Sequence, residues 1–180
     1  MTYTSRPARR GFTLIELLVV ISIIALMSSV VLASVNSGRL KARNAERLET
    51  IDQYRNALEL ARDADGSYPS SPSTACLGTY TSACGNGAGV TLPSSPTVNA
   101  ALARYLPSLP GNPPAPPYVG ISYWTCAGST ATSCTRWNAP NDTYILEWYQ
   151  EGASAPCGIG FSEFAPDPNW PYTWCAYVHR

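Results

Sequence analysis

One histidine, six cysteines and a single carboxylate set against an apolar run are the residues whose type and spacing allow a chemistry to be named. His179 is the only histidine, so a Ser-His-Asp or Cys-His site would need the segment beside Arg180 to fold back into a pocket. No enzymatic activity is expected. Cys76, Cys84, Cys126, Cys134, Cys157 and Cys175 form an even set, as expected for disulfides in an oxidising compartment. Fifteen pairings are formally open, and nearest neighbours are favoured: Cys76 with Cys84, Cys126 with Cys134, Cys157 with Cys175. If unstrained, such bonds would contribute roughly 2.5 to 3.3 kcal/mol each. No Cys-x2-Cys pair points to zinc. Asp142, Asp167 and Asn169 offer oxygens to calcium without forming a dense ligand loop. No metal and no cofactor are therefore expected.

The remaining residue is Glu16. It stands at the head of nineteen uncharged residues, Leu17 to Val35, and follows Arg9-Arg10-Gly11-Phe12-Thr13-Leu14-Ile15. As a helix the run would span roughly 28 Å at about 1.5 Å per residue, close to the thickness of a bilayer's hydrocarbon core. Arg6, Arg9 and Arg10 would hold the leading end in the cytoplasm while the remainder passes outward. A carboxylate at the centre of such a helix would cost about 2.5 to 3.5 kcal/mol, and less near the interface, where Glu16 sits. The cost is bearable but invites a partner. An ordinary secretory signal cleaved after Val31-Leu32-Ala33 is one alternative, though its apolar region is usually about 7 to 15 residues. A plain uncleaved anchor is another.

This stretch resembles the class III signal of type IV prepilins and of type II secretion pseudopilins: a short basic leader ending in Gly, then Phe-Thr-Leu-Ile-Glu, then an apolar helix. The resemblance implies cleavage between Gly11 and Phe12 by prepilin peptidase, N-methylation of Phe12, and Glu16 as the assembly glutamate. The partners implied are the peptidase, the membrane, copies of the chain itself in a helical filament, and an inner-membrane assembly platform with its ATPase. A weaker echo lies in Ala57 to Pro69, similar to the end of the family's long helix. Where many relatives have glycine or proline inside the apolar half, this chain has Ala25, Ser28, Ser29 and Ala33. These small residues would allow close helix approach.

The elements that must position Glu16 follow from pattern. From Asn36 to Asp65 basic and acidic residues alternate, and Leu40, Leu48, Ile51, Leu58 and Ala61 recur at near-helical spacing, so the helix should continue out of the membrane with one apolar stripe. Arg43 and Arg47 repel at four-residue spacing, Arg55 attracts Glu59 and Glu59 repels Asp63, leaving packing as the main stabiliser. Gly38 marks a soft point, and Gly66 with Pro69 should stop the helix. Residues 66–117 read as a connecting loop with one helical island at Asn99 to Leu106. Three β-rich runs follow: Tyr118 to Cys126, Thr143 to Gln150 and Pro171 to Val178. Alternation turns Tyr144, Leu146 and Trp148 inward, with Thr143, Glu147 and Tyr149 on the opposite face.

The expected fold is thus α+β and type IV pilin-like: a leader at 1–11, a transmembrane and polymerisation helix at 12–35, its amphipathic continuation at 36–65, the loop at 66–117, and a disulfide-stabilised antiparallel sheet at 118–180 packed on the helix. Removing the leader leaves nine basic against twelve acidic residues, an acidic balance that disfavours nucleic acid as a partner. Trp124, Trp137, Trp148, Trp170 and Trp174 are expected in the sheet core or in subunit contacts rather than on bases or glycans. Asn141-Asp142-Thr143 fits a glycosylation sequon, a short pattern common by chance.

The expected function is a structural subunit of a type IV pilus-like surface filament, made as a single-pass inner-membrane precursor and later at the cell surface or in a periplasmic filament. The alternatives are a pseudopilin of a type II secretion system and a membrane-anchored, aromatic-rich extracytoplasmic binding module.

Overall fold

The computed structural model describes residues 11–71, 73–79, 84–85, 91–111, 120–126, 134, 138–158, 162–163 and 172–179, with the backbone alone at 84, 85, 91, 162 and 163. The leader residues Arg6, Arg9 and Arg10, and Trp137, Asp167, Asn169 and Trp170, lie outside that set. Two compact units divide the chain, Met1–Lys41 and Ala42–Arg180.

Helix α1 runs without interruption over Leu14–Asp65, through Gly38, where a side chain would meet open space. Its apolar part in the first unit is long and apolar enough to cross a membrane and has no buried residue. Ser22 and Ser29 donate their hydroxyls to the carbonyls of Leu18 and Leu26, both at 2.8 Å. These two hydroxyls are thereby satisfied within the helix, as an apolar medium demands. At the other end Gly66 adopts φ +76° and donates its N–H to the Arg62 carbonyl at 2.7 Å. This is the left-handed cap expected of glycine there.

In the second unit the helix buries Arg47, Thr50, Ile51, Tyr54, Ala57, Leu58 and Ala61. They face a five-stranded antiparallel sheet in the order β1-β4-β5-β7-β6, formed by Ala75–Leu77, Ile121–Thr125, Tyr144–Glu151, Tyr172–Val178 and Ser162–Glu163. A separate hairpin pairs β2 (Cys84–Gly85) with β3 (Thr91–Leu92), and α2 covers Pro96–Leu102. Tyr123, Tyr144, Leu146, Trp148 and Cys175 meet the helix residues in one core. Burial of each large apolar side chain contributes about 1.5 to 3 kcal/mol.

Three expectations are corrected. The stretch 66–117 is more than a loop, because β1 pairs with β4 in the register Ala75 to Tyr123 and Leu77 to Ile121. The helical island begins earlier than Asn99: Ser95 accepts from the Val98 N–H at 3.3 Å, and Pro96, which has no N–H to lose, occupies the first turn. Glu147 and Tyr149 lie on the face opposite Trp148, but that face is closed as well, and both are buried. A second cluster of Cys126, Cys134 and Ile145, packed with Trp124, Ala139 and Val178, covers part of it.

Several charges on α1 are bound by tertiary partners, while Arg55 and Asp52 pair along the helix. Arg43 donates from Nε and Nη2 to the two oxygens of Glu151 at 2.8 and 2.5 Å, and Arg47, fully buried, donates to Glu151 Oε1 at 2.8 Å. One carboxylate thus offsets the expected repulsion between Arg43 and Arg47. Asn44 brackets the end of β5, donating to the Glu151 carbonyl at 2.8 Å and accepting from the Glu151 N–H at 2.9 Å. Arg55 pairs with Asp52 at 2.8 Å and lies over the Tyr177 ring, while Glu59 turns to tyrosines.

The hydrogen bonds from Arg43, aided by Arg47, hold the Glu151 carboxyl down at about 2. A depressed carboxyl contributes its stability above the ordinary value near 4.5 and loses it as pH falls through the folded value. We predict that melting of the solubilised protein at pH 5, 3 and 2 will show a loss of about 1 to 2 kcal/mol from this group, after allowance for the half-open Arg43 side. Glu151→Gln will start less stable and decline less; a variant that declines in parallel with wild type contradicts the assignment.

Cys126 is bonded to Cys134 and Cys157 to Cys175, with Cα–Cα distances of 5.7 and 5.5 Å. Cys76 is also disulfide-bonded. The Cys84 side chain, its expected partner, lies outside the described set.

Candidate functional site

The segment from Gly11 to Glu16 carries the site. Gly11, Phe12 and Thr13 precede the helix and are exposed, Phe12 at 81%. The Gly11-Phe12 peptide bond therefore lies in open, non-helical chain, the form a peptidase cleft can take up. Among the described residues a side chain at Gly11 would meet nothing within 4 Å, so their packing gives no reason for glycine there.

Thr13 and Glu16 form a capping box, the arrangement favoured when Thr precedes a helix and Glu occupies its third position. Thr13 donates its N–H and its hydroxyl to Glu16 Oε2, both at 2.8 Å, and the Glu16 N–H donates to Thr13 Oγ1 at 3.3 Å. One oxygen of the carboxylate is committed to holding the helix start, and Oε1 has no partner among the described residues. Glu16 is thus fixed in rotamer yet able to accept from a second donor. The signal for the cap, Thr-x-x-Glu before an apolar run, is present in the sequence and gives Glu16 a local role beside the expected one in assembly.

From Leu14 to Val35 every large apolar residue is exposed, with Leu14, Leu26, Ile15 and Val30 the most open. A rod apolar on all sides belongs in lipid or among other helices.

His179 folds back against the helix and the sheet. Its ring stacks on Tyr144 at 5.2 Å, lies edge-on to Tyr68, and places Nε2 3.4 Å from Glu59 Oε1. Tyr68 and Tyr144 donate to the two Glu59 oxygens at 3.0 and 3.1 Å. Burial, reinforced by Glu59, pushes both tyrosine hydroxyls up, keeping them protonated donors. The group ties the end of β7 to the helix, and among the described residues no serine or cysteine side chain is hydrogen-bonded to the His179 ring.

Asp142 accepts from Arg62 at 2.9 Å. Among the described residues no three His, Cys, Asp or Glu side chains converge as a metal site. In the sequon, Thr143 is buried and donates its hydroxyl to the Pro140 carbonyl at 2.8 Å. Trp148 is a core residue and Trp174 stacks on Tyr149 at 6.3 Å.

Comparison with known proteins agrees with the amino-terminal site. The family model for the prokaryotic N-terminal methylation motif matches residues 6–32. Prepilin peptidase-dependent protein D of Escherichia coli (strain K12) is 46% identical over 52 residues, which cover 29% of this chain and 36% of that protein. The match thus spans about a third of the relative's length. No solved structure matches the chain.

Proposed function

We propose, for a chain that carries the class III methylation signal of type IV prepilins and pseudopilins, that it is the structural subunit of a type IV pilus-like surface filament. Prepilin peptidase cuts after Gly11 and methylates the amine of Phe12. The precursor waits in the inner membrane with its apolar rod in lipid, and an assembly platform driven by an ATPase moves it into a growing bundle of identical rods. The observation that carries this reading is the coincidence of the matched motif at 6–32 with a helix whose apolar part has no covered side.

The physical logic is one of exchange between apolar media. Lipid and packed side chains are similarly apolar, so the rod loses little on leaving the bilayer provided that other rods surround it. Cleavage creates a positive amine at Phe12, and the free Oε1 of a neighbour's Glu16 is the acceptor that neutralises it. Such a pair fixes register more than it adds net stability, because both charges are desolvated. A pseudopilin of a type II secretion system shares this chemistry and differs in filament length and in coupling to export.

Mass spectrometry of native material tests the reading at its first step. The expected mature terminus is methylated Phe12, accompanied under electron microscopy by surface fibres many subunits long. A terminus at Met1 or Ser34 overturns it, and short fibres tied to export transfer it to secretion.

A further inference from the structure

We propose that Arg39 and Lys41 hold the membrane-bound subunit to the phosphate groups of anionic phospholipids in the extracytoplasmic leaflet. The inference rests on the membrane-held precursor of the reading above and adds the surface that this precursor offers to lipid.

The two bases are the first charges beyond the apolar run. From Leu17 to Ala45 the chain holds no acid and three bases, Arg39, Lys41 and Arg43. Arg43 is committed to Glu151. Arg39 and Lys41 are exposed, and their side chains engage no described residue. Their own helix cannot supply a partner. Side chains on a helix meet at three or four residues' spacing, whereas the next acid, Glu46, lies seven residues beyond Arg39 and five beyond Lys41. Topology gives these bases no role either, since positive charge is favoured on the cytoplasmic flank, where Arg6, Arg9 and Arg10 stand.

Direction and height both fit a leaflet. Residues two apart on a helix are turned by about 200° from one another, so Arg39 and Lys41 leave the rod on opposite sides. A single protein neighbour meets one side; lipid surrounds the helix and meets both. With Leu17 to Val35 filling the hydrocarbon core, Arg39 stands four residues beyond it, about 6 Å, and Lys41 six residues, about 9 Å. The headgroup layer is about 5 to 8 Å deep on each side of the core. Arg39 is thus level with the phosphates, and Lys41 stands just above them with an apolar stem that can snorkel back. The guanidinium takes a phosphate through two parallel hydrogen bonds and the ammonium as a point charge.

Native mass spectrometry of the full chain in detergent micelles, given equal amounts of phosphatidylglycerol and phosphatidylcholine, reads the preference directly. One base near an anionic surface contributes about fivefold in binding. Arg39→Gln with Lys41→Gln will lower the ratio of bound phosphatidylglycerol to phosphatidylcholine at least about fivefold, and Arg39→Lys will keep it within about twofold of wild type. Arg6, Arg9 and Arg10 are common to all variants, so their contribution cancels. A large excess of inorganic phosphate will leave the bound phosphatidylglycerol in place. An unchanged ratio in the double variant, an equal loss in Arg39→Lys, or displacement by inorganic phosphate overturns the lipid contact and leaves the membrane-held precursor standing. Wild-type chain released from membranes by alkaline carbonate sinks that reading instead.

Discussion

Glu16→Ala will insert in the membrane as well as wild type, or better, and will yield at least about tenfold fewer filaments. Insertion improves because a carboxylate is removed from the apolar margin. On the proposed filament reading, assembly fails because the amine of each incoming Phe12 is left as an uncompensated charge among packed helices, a defect of about 3 to 5 kcal/mol when one partner of a buried pair is removed. Part of the loss has a second origin, the capping box with Thr13, whose removal costs about 0.5 to 2 kcal/mol of helix stability. Glu16→Gln separates the two. Its amide oxygen can still accept from Thr13, so the helix start survives while the charge is gone. If charge governs assembly, the glutamine variant will be as defective as alanine; if the cap governs it, the glutamine variant will polymerise. Immunoblots of sheared and membrane fractions, with electron microscopy, provide the readout. Abundant filaments from both variants would remove Glu16 from the mechanism.

Gly78→Ala will destabilise the second unit by about 3 to 5 kcal/mol, a large share of an ordinary domain's margin. Gly78 has φ +90°, and a Cβ there would lie 2.4 Å from the Pro110 carbonyl oxygen and 2.5 Å from the Tyr54 hydroxyl. Those two atoms are hydrogen-bonded to each other at 2.7 Å. A methyl group therefore meets backbone on one side and a buried tyrosine on the other, and neither can yield without breaking their bond. Asn99 adds rigidity by accepting from the Gly78 N–H at 3.1 Å and donating to its carbonyl at 3.3 Å. Gly66→Ala is the control: φ is +76° but the space is open, so only the backbone cost of about 1 to 2 kcal/mol applies. Thermal melting of the solubilised chain will rank wild type above Gly66→Ala and both well above Gly78→Ala. Equal losses at the two positions would mean that the contact with Tyr54 and Pro110 carries no strain.

The parts legible in the sequence are those where a long pattern repeats. Nineteen uncharged residues, then alternating charge over a sparse apolar stripe, then Gly66, defined α1 because many residues spoke for one period. The three long strands were visible for the same reason. Strand β1 was not, since three residues, Ala75-Cys76-Leu77, carry no periodicity of their own and become a strand only by pairing with Ile121–Tyr123. The start of helix α2 is signalled only locally, by Ser95 before Pro96, while the apolar residues further on carry the stronger pattern. Arg43, Arg47 and Arg62 of α1 are bound by Glu151 and Asp142, roughly eighty to a hundred residues away in sequence, which helix spacing does not reveal. The Thr13 cap was available from spacing alone and was masked by the attention that Glu16 draws as an isolated acid.

Strand β7 sits inside the sheet, paired along its length with β5 and flanked on its other side by β6. Tyr172–Val178 is therefore needed to complete the sheet that covers Ile51, Tyr54 and Leu58. A chain that folds before that segment has docked leaves the far edge of β5 unpaired beside the aromatic surface of Tyr144 and Trp148, an open template of the kind on which another chain can pair.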